Sequence, residues 1–166
     1  MTLQEQVLEF HLKYGHPIEG RPHIPVDKRV RFRASLIAEE FFETLEAIFA
    51  QSSTEGDTAL RRARELIDSA INRGLIGIDL AALADGLADI DYVVEGTRLE
   101  FGINGGPIAV EVHRANMTKS GRNAAGKTIK PPGWTSPDID GELRKQEEGE
   151  NCLDTIVDRL LEGEDG

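Results

Sequence analysis

The chain has 166 residues, 39% of them hydrophobic and 30% charged, with a formal net charge of −11 and a single cysteine. This describes one globular domain with a real core, excludes an internal disulfide, argues against a cysteine-based zinc site and disfavours a duplex nucleic-acid binder. No basic stretch followed by an apolar run opens the chain, and nothing approaches the ~18 apolar residues of a membrane span, so a cytoplasmic protein with no membrane or nucleic-acid partner is expected.

Residues 2–14 read as a first helix. Thr2 and Glu5 fit a capping box, Leu3, Val7, Leu8, Phe10 and Tyr14 form its apolar side, and Gly15 stops it. Residues 16–25 hold three prolines and a glycine and read as an irregular connector. A second helix is expected from a cap at Asp27 to about Ala50. Its first turns are basic at Lys28, Arg29, Arg31 and Arg33, against the usual preference for acids at a helix N-terminus. That end is either merely suboptimal or an anion site. Further along, Glu39, Glu43 and Glu46 share one stripe and Glu40 lies roughly 100° round. Leu36, Ile37, Phe41, Phe42, Leu45, Ile48 and Phe49 fill much of the remaining circumference, and no Lys or Arg lies between Arg33 and Arg61. Carboxylates this close repel one another without a cation. The competing reading is a solvated acidic face.

Residues 51–57 read as a polar turn and 57–73 as a third helix capped by Asp57, with Arg61 and Glu65 as an i, i+4 pair. Asp79 is expected to cap a long helix over 80–101. That helix is apolar nearly all round, through Leu80, Leu83, Leu87, Ile90, Val93, Val94 and Leu99, a pattern that belongs in the middle of a bundle. Asp85 and Asp89 share a face of it, one turn apart. Aspartate is a poor helix former, and a carboxylate in apolar surroundings needs a partner. Either Arg98 or Arg73 supplies that partner, or Asp85 and Asp89 face Glu39 and Glu43 across a divalent-cation site between helices.

A turn at 101–107 leads to a short helix over 107–118 with Glu111, His113, Arg114 and Asn116 as its polar residues. Residues 119–137 hold glycines and prolines and read as an ordered loop or small hairpin. Residues 107–137 carry five Lys/Arg against one Glu, and residues 138–166 carry eleven Asp/Glu against three Lys/Arg. The basic stretch, with Lys119, Arg122, Lys127, Lys130 and the single tryptophan, Trp134, reads as a solvated loop or as a phosphate-contacting arm. The acidic end reads as an extension with one docked helix near 152–161 and a disordered last four residues. The division expected is a domain over 1–137 and this extension over 138–166.

Three segments together carry a resemblance: AEEFFETLEA at 38–47, LADGLADIDYVVEGT at 83–97, and VEVHRANMTKSG at 110–121 with KTIKPPGW at 127–134. They resemble the all-α nucleoside triphosphate pyrophosphohydrolases, the superfamily of MazG, dimeric dUTPases and phosphoribosyl-ATP pyrophosphohydrolase. Within it they look most like MazG-like proteins with dUTPase-type activity and their Cof-like relatives. The family pattern is E-E-x-x-E on one helix and E-x-x-D on another. Glu39, Glu40, Glu43 and Asp89 match it, and the remaining Glu position falls on Gly86, which makes Asp85 the candidate replacement.

The resemblance implies an all-α helical bundle of the MazG type, with an irregular basic loop after the short fifth helix. It implies Mg²⁺- or Mn²⁺-dependent cleavage of a nucleoside triphosphate between the α and β phosphates, with dUTP or a related nucleotide as substrate. Glu39, Glu43, Asp85 and Asp89 are then the metal ligands and Glu40 the general base or a further ligand. Arg114, Asn116, Lys119 and Lys130 are the substrate contacts, with His113 a weaker one. It also implies a homodimer or homotetramer. The alternatives are a phosphoribosyl-ATP pyrophosphohydrolase and a non-catalytic nucleotide-binding or assembly module.

Overall fold

The structure is a computed structural model and describes residues 1–49, 54–73, 77–154 and 156. The described chain is helical apart from one hairpin. Its elements are α1 (Leu3–Tyr14), α2 (Asp27–Ile48), α3 (Thr54–Asn72), α4 (Leu80–Glu100), α5 (Gly105–Asn116), β1 (Ser120–Arg122), β2 (Thr128–Ile129) and α6 (Ile139–Glu147). The all-α class is therefore correct. Contacts divide the chain into two units, residues 21–83 and residues 1–20 with 84–166.

In the first unit α2 packs on α3. Phe42 is its buried anchor, 2% exposed, with Phe41 edge-on at 5.4 Å. Asp27 does not cap α2. Val26 occupies the cap in an extended conformation with no side-chain bond, and Asp27 is the first helical residue, paired with Arg31 one turn on. A carboxylate in the first turn with a cation at i+4 satisfies the helix dipole without capping. α3 begins at Thr54, so the turn expected over 51–57 is partly helix. Its ion pair among the described residues is made by Arg64, to Glu46 of α2 at 3.3 Å, rather than between Arg61 and Glu65.

In the second unit α1 packs on α5, α5 on α6, and β1 against α1. The capping box forms as read: Thr2 Oγ1 accepts from the Glu5 N–H and the Thr2 N–H donates to the Glu5 carboxylate. Gly15 ends α1 at φ 65, the left-handed region that favours glycine. Asp79 Oδ1 accepts from Ala81 and Ala82 N–H and starts α4. Asn104 caps α5, two residues earlier than read. The basic loop contains an antiparallel hairpin pairing Ser120 with Ile129.

One expectation changes and one helix is added. α4 is apolar nearly all round, yet none of its residues is buried among the described residues, unlike the central helix its pattern predicts. A helix that was not expected precedes the segment near 152–161: Asp138 caps α6 at 139–147, and Gln146 exchanges two hydrogen bonds with the Asn104 backbone to dock it. Most of the segment expected to be helical near 152–161, and the last four residues, lie outside the described residues. Among the described residues no helix is long and apolar enough to cross a membrane.

Candidate active site

On α2, burial of Phe42 sets which way the acidic residues face. Glu39 is half-buried, whereas Glu40 and Glu43 are exposed. Glu46 leaves the acidic group because Arg64 neutralises it; the same guanidinium lies over the Phe42 ring at 5.8 Å. Among the described residues Glu40 and Glu43 have no ion-pair partner. Two hard oxygen donors thus stand one turn apart with no protein cation committed to them.

On α4, Asp85 and Asp89 are exposed. The pairing with Arg98 does not occur, because Arg98 binds Glu95 one turn before it. The glutamates of α2 and the aspartates of α4 belong to different units. By itself neither unit gathers three or more Asp, Glu, His or Cys side chains into a metal-holding group among the described residues. Glu40, Glu43, Asp85 and Asp89 offer the hard carboxylate oxygens that a divalent cation takes, and none of them has an ion-pair partner among the described residues. At position 86 an added Cβ would meet nothing within 4 Å, so the departure from the family pattern is not forced by crowding.

The basic candidates sit at the end of α5 and on the following arm. Arg114 is engaged: its Nε and one Nη each donate to the Glu111 carboxylate at 2.6 Å. Glu111 also accepts the Asp138 N–H at 2.8 Å. The Arg114 fork and this backbone donor hold the Glu111 carboxyl down at about 2, and the carboxylate in turn raises Arg114. His113 stands 3.1 Å from Glu9 and ties α5 to α1, the structural role for a helical histidine.

Beyond Asn116 the chain is fixed through its carbonyls. Tyr14 Oη lies 3.2 Å from the Asn116 carbonyl, 3.0 Å from that of Met117 and 2.5 Å from that of Lys119, so its one hydroxyl proton goes to Lys119. Lys13 donates to the Met117 carbonyl. Lys119 and Lys130 both lie over the Trp134 ring, at 5.7 and 4.6 Å from its centroid. Of the four basic-end candidates, Lys119 and Lys130 both meet the Trp134 ring, and Asn116 lies three residues before Lys119. The roles of Tyr14 and Glu111 had no signal in periodicity, since each depends on a contact with a separate element. A groove of about 390 Å³ along α1 is lined by Thr2, Gln4, Glu5, Val7, Leu8, His11, Pro17 and Ile18.

A family model described as phosphoribosyl-ATP pyrophosphohydrolase matches residues 7–116, from the first helix through the end of α5. The chain belongs to this family. It is accordingly a nucleotide pyrophosphohydrolase, a hydrolase acting on phosphoric anhydrides. The match includes Glu39, Glu40, Glu43, Asp85, Asp89, Arg114 and Asn116, and ends before Lys119, Lys130 and Trp134. No curated protein matches the chain, and no solved structure does.

Proposed function

We propose that this pyrophosphohydrolase acts on a nucleoside triphosphate, dUTP or a related nucleotide, releasing the monophosphate and pyrophosphate with Mg²⁺ or Mn²⁺. The observation that carries the reading is the acidic face of α2, where Glu40 and Glu43 lack an ion-pair partner among the described residues although Glu46 has one. Carboxylates one turn apart on a helix repel one another unless a cation lies between them. Glu39, Glu43 and Asp89 hold the cation, and Asp85 stands in for the carboxylate missing at Gly86. When bound, the cation neutralises phosphate charge and favours in-line attack by water.

Glu40 takes the proton of the attacking water. The new P–O bond forms at the α–β anhydride, its bridging bond breaks, and pyrophosphate leaves. Lys119 and Lys130 meet the phosphates, Asn116 contacts the nucleotide, and Arg114 joins by exchanging Glu111 for a phosphate oxygen. The acting species is a homodimer or homotetramer in the cytoplasm. Support for assembly is the apolar surface of α4, with Val93 64% and Tyr92 83% exposed.

Phosphoribosyl-ATP is the second reading, favoured by the description of the matching family. Pyrophosphate release from dUTP, dCTP, dTTP, the four ribonucleotides and phosphoribosyl-ATP, each with Mg²⁺, Mn²⁺ or EDTA, decides between them. Preference for dUTP with loss of release in EDTA is expected. Preference for phosphoribosyl-ATP selects the second reading, and release unaffected by EDTA overturns the metal dependence.

A further inference from the structure

We infer that Trp134 is a positioning residue of the site, whose indole holds the ammonium groups of Lys119 and Lys130, each against the ring, where they grip the polyphosphate end of the substrate and the departing pyrophosphate. The inference rests on the pyrophosphohydrolase reading and names a residue outside the segment that matches the family. Two ammonium groups from chain positions eleven residues apart both meet this one ring, at 5.7 and 4.6 Å from its centroid. The electron-rich face of an indole attracts both ammoniums and offsets part of their mutual repulsion. A polyphosphate between them removes the rest.

The ring is fixed before any ligand arrives. Its Nε1–H donates to the Ala115 carbonyl at 3.0 Å, and Ala115 is 1% exposed at the end of α5. Backbone geometry fixes it too. In the run Lys130-Pro131-Pro132-Gly133-Trp134, the Trp134 N–H donates to the Pro131 carbonyl at 3.0 Å and Gly133 has φ 75. These are the features of a type II turn, with proline second and glycine third. Lys130 therefore enters a stiff turn that returns Trp134 toward it. On the other side the Tyr14 hydroxyl holds the Lys119 carbonyl. The ring contact thus adds to the backbone restraint around both lysines.

The test uses the chain's one tryptophan as its own reporter. Emission of the intact protein is titrated with pyrophosphate in EDTA, with inorganic phosphate and chloride as controls. A saturable change with pyrophosphate, weaker with phosphate and absent with chloride, is expected, as is its loss in K119A/K130A. In turnover assays W134L should raise KM by about fivefold to tenfold, the size expected from two exposed cation–π contacts, with kcat within about twofold. W134F, which keeps a ring, should recover part of the KM. An emission spectrum blind to pyrophosphate overturns the inference even if the enzyme turns over. An emission response without turnover of any nucleotide sustains the phosphate grip and sinks the catalytic reading instead.

Discussion

Glu111 shows how one carboxylate can organise a junction: it accepts the Arg114 fork within α5 and the Asp138 N–H that begins the α6 cap. Its pKa is lowered from 4.5 to about 2. The unfolded chain therefore binds this proton at higher pH than the folded one, so the contribution to stability is complete above 4.5 and disappears as pH falls through about 2. The difference in Tm between wild type and Glu111→Gln should be widest near neutral pH and close over that window; a difference independent of pH would remove the carboxylate from the argument. Gly86 makes the opposite case. Nothing lies within 4 Å of a Cβ there, and glycine inside a helix costs roughly 0.5–1 kcal/mol relative to alanine. Gly86→Ala should accordingly raise Tm by ~1–4 °C, and Gly86→Glu should tighten cation affinity if Asp85 only partly replaces the family carboxylate. Gly141 would not tolerate the same change, since its Cβ would lie 2.3 Å from Asp138 Oδ2, on the residue that caps α6.

Elements with a local cause were legible in the sequence. Thr2 and Glu5 are three residues apart, so the capping box needs no tertiary information, and the same is true of Gly15 and of Asp79. Thr2→Ala should cost about 1 kcal/mol, read as a lower Tm with unchanged cooperativity; no change would mean that α1 is held by its packing on α5 alone. Boundaries were lost where two local solutions compete. Asp27 serves the dipole as readily from the first turn, paired with Arg31, as from the cap. α6 was missed because IDGELRKQE has few apolar residues, and its docking comes from Gln146 binding the Asn104 backbone, a long-range pair that leaves no periodic trace. In the site, the acidic face of α2 and the basic character of residues 107–137 could be read directly. The neutralisation of Glu46 by Arg64 and the convergence of two lysines on Trp134 could not, because each joins separate segments.

For the whole molecule the unexplained quantity is the surface of α4. Its sequence demands burial, yet Ile90 is 49% exposed, Val93 64% and Leu99 61%. Fully burying a side chain of this kind is worth ~1.5–3 kcal/mol, so a helix that leaves several half-exposed has a large incentive to meet another copy. The net charge of −11 opposes non-specific association, which favours a defined assembly over aggregation. Wild type should therefore sediment as a dimer or tetramer at micromolar concentration. Ile90→Asp with Val93→Asp should raise the dissociation constant by more than about tenfold. Far-ultraviolet helicity should survive, because the chain itself buries no residue of α4. Asp89 shares this helix with the substituted residues, so turnover should fall in step with dissociation if the site is completed on assembly. Helical monomers with undiminished turnover would separate the cation site from the interface, and a wild type that sediments as a monomer would remove the assembly from the proposed function.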